Sequence, residues 1–201
     1  MTVADLAIGE FLDGVASQAV TPSGGAVAAV CGASGAALCE MACVHTLAGE
    51  VGDGSAHLDD VGAELAALRE RLLESADEDV AAVDDLQAAL ASADSPSADA
   101  VQDAAEDATE SPIRIAEASL AVLDHATVVT EAASPTAVPD AGTGASLAHG
   151  SLRAMVWTAR SNLGLLEDSG VVADFEERIA DVESAGDSAL GEVGENVRQV
   201  R

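Results

Sequence analysis

Apolar positions recur along this 201-residue chain at alternating steps of three and four, the spacing of one face of an α-helix. The clearest stripe runs through Leu65, Leu68, Leu72, Ser75 with Ala76, Asp79, Ala82 with Val83, Leu86 and Leu90. It predicts a long inward-facing helix, capped at its start by Ser55. Before it, the pattern predicts a first helix over 3–20, with Leu6, Phe11, Leu12, Val15 and Ala16 inward, and a second over 25–48 closed by a loop at 49–54. After it, Pro96 marks a break at 93–97, and a fourth helix over 98–133 is apolar on more than one side and therefore central. Pro112 is expected to kink or split that helix. Two prolines and two glycines at 134–144 predict a loop with Asp140 near the next helix start, followed by a fifth helix over 145–168 and a sixth over 172–200. No strand pattern competes. The expectation is an all-α fold, an antiparallel bundle of about six or seven long helices in a single domain spanning 1–201.

The second helix departs from ordinary amphipathicity. It opens on a turn in which Thr21 is expected to serve as N-cap and Pro22 to occupy the first helical turn, while Gly24 and Gly25 leave backbone amides uncovered. Such a turn can hold an anion or the polar edge of a ligand. Because it follows a helix and not a strand, its glycines do not form a dinucleotide-binding fingerprint. Beyond it, Ala28, Gly32, Gly35, Ala36 and Cys39 carry so little side chain that another backbone can approach the helix axis closely. A glycine inside a helix costs about 1 kcal/mol relative to alanine, so tight packing is expected, in the subunit core or at a subunit interface.

Composition sharpens this picture. Aromatic residues make up 1% of the chain, only Phe11, Trp157 and Phe175, so the core must be assembled from Ala, Val, Leu and Ile. The net charge of −28 comes from 36 acids against 8 basic residues, all arginine. Nucleic acid is thereby excluded as a partner, since phosphate neutralisation needs a basic face. The acids are interleaved with apolar residues at helical spacing, which fits a surface adapted to a salt-saturated cytosol better than an acidic chaperone tail. The amino terminus lacks the positive flank of a signal peptide. No charge occurs between Gly14 and Cys39, but the turn at 22–25 interrupts that run and leaves an Ala/Gly-rich helix expected to fall short of the ~20 residues a bilayer needs. A soluble, cytoplasmic chain is expected, without membrane contact.

Among groups that carry chemistry, Asp79 is the anomaly: it sits within the leucine stripe while Glu70, Glu74, Asp77 and Asp84 fall on the solvated side. Burial would raise its pKa toward the range of a general acid/base. The competing reading is a structural aspartate paired with an arginine across the bundle. Arg69, Arg153 and Arg160 are candidates for an anionic ligand, whereas Arg71, Arg178, Arg198 and Arg201 are expected to pair with local acids. Cys31, Cys39 and Cys43 read as small core residues; with His45 they have no zinc-like spacing, and no metal site is expected. His57, His125 and His149 are isolated.

The run T-P-S-G-G-A-V-A-A-V-C-G-A-S-G-A-A-L-C-E-M from Thr21 resembles the opening signature of the formimidoyltetrahydrofolate cyclodeaminase and methenyltetrahydrofolate cyclohydrolase family, written P-G-G-G-S-V-A-A followed by small residues and G-A-A-L-x-x-M. Ser23 and Ala26 depart from it. Three further segments are similar in the same order: E-D-V-A-A from Glu78, S-P-I-R-I-A from Ser111, and P-D-A-G from Pro139 with S-N-L-G-L-L-E-D from Ser161; Thr136 stands where the family often has asparagine. The resemblance implies a folate one-carbon enzyme, cyclodeaminase or cyclohydrolase, with Asp79 as the catalytic group. It implies Ser23, Gly24, Gly25, Asp140, Arg160 and Asn162 as substrate-binding residues, Asn162 and Asp140 alternatively tying the fifth helix. It also implies a homodimer or higher assembly with the ligand between helices, and no cofactor beyond the tetrahydrofolate derivative. A non-catalytic helical module of the same fold is the rival reading.

Overall fold

A computed structural model describes residues 2–49, 57–91 and 98–200. Over these residues the chain forms helices α1 (Ile8–Val15), α2 (Gly24–Leu47), α3 (Leu58–Ala91), α4 (Ala98–Ala132), α5 (Val138–Asn162) and α6 (Ser169–Gln199), with short 3-10 turns at Val3–Asp5 and Leu163–Leu165. Among the described residues there is no strand. Sequential neighbours from α2 onward run antiparallel: Gly32 lies level with Leu72, Ser119 and Ser151, while Glu40 reaches Arg69 and Leu152 packs on Gly186. As expected, α4 is central, touching α2, α3, α5 and α6.

The five long helices match the sequence pattern, and the differences lie at their ends. The first expected helix is two short pieces. Asp5 accepts from Thr2 N–H at 3.2 Å and Glu10 accepts from Ala7 N–H at 3.2 Å, so each carboxylate closes its own helical start, with Leu6 and Ala7 extended between them. Of the side chains expected inward, Phe11 is buried, whereas Leu12 and Val15 are exposed. Ser23, not Thr21, occupies the N-cap position of α2, and Pro22 precedes the helix. The expected loop at 134–144 is helical from Val138: Pro139 suits a first turn, where its missing N–H is unpaired anyway, and Asp140 complements the helix dipole there. The helix ends at Asn162 instead of 168, because Asp168 caps α6 by accepting from Gly170 N–H at 2.7 Å. Pro112 does not split α4. On α3 the buried stripe ends at Asp79, with Leu86 half-buried and Leu90 exposed. The expected Ser55 cap and the break at 93–97 lie outside the described residues.

The small residues of α2 allow a close crossing with α5. A Cβ on Gly35 would lie 2.6 Å from Gly144 O and one on Gly144 would lie 2.6 Å from Gly35 O, so α2 and α5 meet backbone to backbone. Cys39 Sγ donates to Ala141 O at 3.7 Å on the same seam, and burial pushes its thiol pKa up to about 12. This contact keeps Gly144 inside a helix that local propensity disfavours. The tight packing expected of α2 is therefore packing within one chain. At 24 residues with a mean hydropathy of 1.8, α2 is long and apolar enough to cross a membrane, contrary to the expectation of a short helix; half of that span is buried between α3, α4 and α5.

Candidate active site

Antiparallel pairing brings the N-terminus of α2, the middle of α3 and the first half of α4 to one end of the bundle. Asp79 sits there, 4% exposed, with its carboxyl against the first turn of α2. Ser23 Oγ donates to Asp79 Oδ2 at 3.1 Å, while the Ala26 backbone and Ser111 exert a weaker pull that favours the carboxylate. Ser23 makes no side-chain cap bond of its own, and the carboxyl from α3 lies beside the amide donors that a helix start leaves open. Gly25 is what admits it: a Cβ there would fall 2.0 Å from Asp79 Oδ1. Gly24, by contrast, is exposed, and a Cβ on it would meet nothing within 4 Å.

Burial raises the Asp79 pKa above the ordinary aspartate value, and Ser23, Ala26 and Ser111 pull it partly back. Among the described residues no arginine pairs with it, against the reading of Asp79 as half of a cross-bundle ion pair. Six of the described arginines are engaged elsewhere. Arg69 pairs with Glu40 at 3.0 Å, Arg71 with Glu78 at 3.2 Å, Arg114 with Glu110 at 3.2 Å, and Arg178 with Glu110 at 2.7 Å. Asp77, expected on the solvated side, is half-buried and accepts from Val3 N–H at 2.8 Å, tying the amino-terminal turn to α3.

The remaining candidates divide by position. Asn162 lies at the Asp79 end, and its Nδ2 donates to Ala108 O at 2.7 Å, so it ties α5 to α4, the alternative its sequence position allowed. Arg160 is also at this end but is held, with Arg153, by Glu183 of α6. It borders a surface cavity of about 400 Å³ lined also by Leu163, Glu176 and Ile179. Asp140 is not brought to the site: its neighbour Ala141 meets Cys39, so it stands roughly 22 Å along α2 from Gly24 at the helical rise per residue. His125 faces Glu64 at 3.3 Å and His149 faces Asp187 at 2.8 Å, both away from Asp79 in the helix register. Sequence reasoning did not single out Ser111; the serine directly before an in-helix proline was the available signal.

Known proteins match this chain in sequence and in fold. The sequence profile described as formiminotransferase-cyclodeaminase matches residues 7–181. The chain belongs to that family. It is 32% identical over 180 residues, covering 86% of this chain and 85% of the relative, to a methenyltetrahydrofolate cyclohydrolase of Methylorubrum extorquens. Its fold matches the crystal structure of the formiminotetrahydrofolate cyclodeaminase of Thermotoga maritima with a TM-score of 0.92 at 22% identity, over 98% of both chains. Family membership gives a context for Asp79, the one buried carboxyl at this end of the described bundle, and for the glycine that seats it.

Proposed function

We propose that the chain is a methenyltetrahydrofolate cyclohydrolase in which Asp79 moves the proton. The observation that carries this reading is the seat of that carboxyl: nearly excluded from solvent, unpaired with any cation, and held by donors at a helix start. A carboxyl with a raised pKa exchanges protons closer to neutrality than an exposed one does. In the hydrolysis, water adds to the carbon bridging N5 and N10, giving a tetrahedral carbon. The bond from that carbon to N5 then breaks as the added hydroxyl becomes the formyl carbonyl. One of the two protons from the attacking water is delivered to N5 and the other leaves to solvent. Asp79 as carboxylate takes the first proton and as acid returns one to N5.

The family profile supports a second reading, the cyclodeaminase. There N10 attacks the carbon of the protonated formimidoyl group of 5-formimidoyltetrahydrofolate and gives up its proton to Asp79, which hands it to the departing nitrogen as the carbon–nitrogen bond breaks, so that ammonia leaves and the 5,10-methenyl bridge closes. Both readings place the Ser23 hydroxyl and the exposed Gly24 turn against the substrate. Asp140 stands too far from Asp79 to join it within one chain, Arg160 stays the candidate for an anionic part of the substrate, and neither reaction as written draws on a cofactor beyond the folate itself. A single domain spanning 1–201 and working in the cytosol completes the proposal. So does a homodimer, supported by the stripe Ile8, Leu12 and Val15 on α1, which is 79%, 53% and 36% exposed.

A spectrophotometric assay at molar KCl with both one-carbon substrates tests the reading. Turnover of one or both by the native chain and its loss in Asp79→Asn is the expected outcome; a native chain that turns over neither overturns it. Light scattering of Leu12→Glu reads the assembly, with a monomer expected where the native chain is a dimer.

A further inference from the structure

Half of the apolar span of α2 is buried between α3, α4 and α5, and the other half looks outward. On that outward side Val27, Val30, Leu38 and Met41 are half-buried, and Ser34 between them is exposed. The one acid of α2, Glu40, turns to Arg69 of α3 at 3.0 Å, and α2 has no arginine, so its outward face carries neither. Neighbouring α5 has a single acid, Asp140 in its first turn, and exposes Thr143, Ser146 and Gly150. The exposed stripe on α1 adjoins this surface, since a Cβ on Gly14 would lie 3.4 Å from Pro22 at the approach to α2. An uncovered apolar face of this extent marks an interaction site.

Charge decides what covers it. Two copies of net charge −28 repel wherever their acids meet, and the outward face of α2 is where they can approach without that repulsion. A cationic partner would seek the acidic faces instead. Ser34 stands at the middle of the face, and its hydroxyl is already given to Val30 O at 2.8 Å. A two-fold axis through Ser34 runs the two α2 helices antiparallel, which opposes their dipoles. It sets Val27 on the partner's Met41 and Val30 on the partner's Leu38, apolar against apolar. It also carries the partner's His45 to the level of Ser23, because His45 stands as far after Ser34 as Ser23 stands before it. Within one chain the exposed His45, in the last turn of α2, is roughly 30 Å along the helix from Gly24.

We propose that a second copy of this chain covers the outward face of α2 about an axis at Ser34, and that the partner's His45 completes the site at the Ser23–Gly24 turn. What the imidazole touches there rests on the function proposed above; the interface does not. Gly24 is the open side of that turn, with Asp79 behind Gly25, so a substrate lying on the turn has the carboxyl on one side and the imidazole on the other. An imidazole can donate or accept a hydrogen bond at its ring nitrogens.

Cross-linking reads the interface without any substrate. All variants carry Cys31→Ala, and the other two cysteines are buried. Ser34→Cys should form an interchain disulfide under mild oxidation. Gly24→Cys chains co-expressed with His45→Cys chains should be joined by a short bis-maleimide, and neither variant alone should be joined to itself. All three positions are exposed, so these substitutions leave the core intact. Turnover at molar KCl reads the site. Asp79→Asn and His45→Ala should each lose about tenfold or more, and the co-expressed pair should recover about a quarter of the native rate, since half of the random dimers hold one intact site of two. A native chain that is monomeric by light scattering overturns the proposal, and flotation of that monomer with phosphatidylcholine vesicles would assign the face to a membrane surface. A dimer in which Ser34→Cys stays reduced, or in which the mixed Gly24→Cys and His45→Cys chains are not joined, overturns it too. So does an active native chain whose co-expressed pair recovers nothing. If the cross-links form while the native chain turns over neither substrate, the enzymatic reading fails and the interface stands.

Discussion

The carboxyl of Asp79 fills the space that a side chain on Gly25 would need: a Cβ there would lie 2.0 Å from Oδ1, 2.3 Å from Cγ and 2.4 Å from Oδ2. Gly25→Ala must therefore displace the carboxyl from the α2 turn. A cost of ~1–3 kcal/mol is expected from overpacking, together with loss of most turnover. Gly24→Ala, which meets nothing within 4 Å, should melt like the native chain. Thermal melts of the two variants side by side check this, and equal losses in both would contradict the geometry.

Asp79→Asn keeps the shape and removes the titrating group. Turnover should fall by ~10²- to 10⁴-fold, the usual worth of a positioned acid/base. Asp77 is unsuitable as the comparison because it holds Val3 N–H. The exposed Asp85 serves instead, and Asp85→Asn should keep native kinetics. Matching kinetics in the two variants would reduce Asp79 to a cap on α2.

Stability should carry the signature of the same group. Its folded pKa is raised above the ordinary value of 3.8, so the folded state holds the Asp79 proton more tightly than the unfolded chain does. The resulting contribution is fully present below the unfolded pKa and is lost as pH rises through the folded one. The difference in unfolding free energy between the native chain and Asp79→Asn should therefore shift against the native chain as pH climbs from about 4. Urea melts across that range would reveal it; a pH-independent difference would mean that the carboxyl titrates alike in both states.

At the crossing of α2 and α5, Gly35→Ala would set a Cβ 2.6 Å from Gly144 O and 3.0 Å from Ala148 N, both backbone atoms that cannot swing aside. A loss of ~1–3 kcal/mol is expected. Gly150→Ala, elsewhere on α5 and open on its outer side, should instead stabilise by roughly 0.4–1 kcal/mol through the unfolded chain. Denaturant midpoints distinguish the two signs.

With 36 acids against 8 arginines, repulsion among carboxylates opposes the compact state, and most of the described arginines are already spent on local pairs. Melting temperature should climb steeply with added KCl and level off as the screening length falls to about 3 Å near 1 M. A flat response between dilute buffer and molar KCl would show that this charge costs the fold nothing.

The one-dimensional pattern determined the helices, because amphipathic period and small-residue content are local properties: α3, α4 and α6 lie close to where their stripes predict, and the glycines of α2 announced a close crossing. It also marked Asp79, since a carboxylate in a leucine stripe is visible without a fold. What the tertiary structure alone decided is who meets whom. Pro139 and Gly144 read as loop residues because their local propensities say so, yet Gly144 is helical because Gly35 presses against it. Asp79 has Ser23, Ala26 and Ser111 for company instead of an arginine, and Asp140 stands at the far end of α2, because antiparallel packing sets the register between residues distant in sequence. The partnership of Asn162 with Ala108 is the plainest case: the proline that opens that carbonyl is legible in the sequence, but the donor that closes it comes from another helix, 54 positions away.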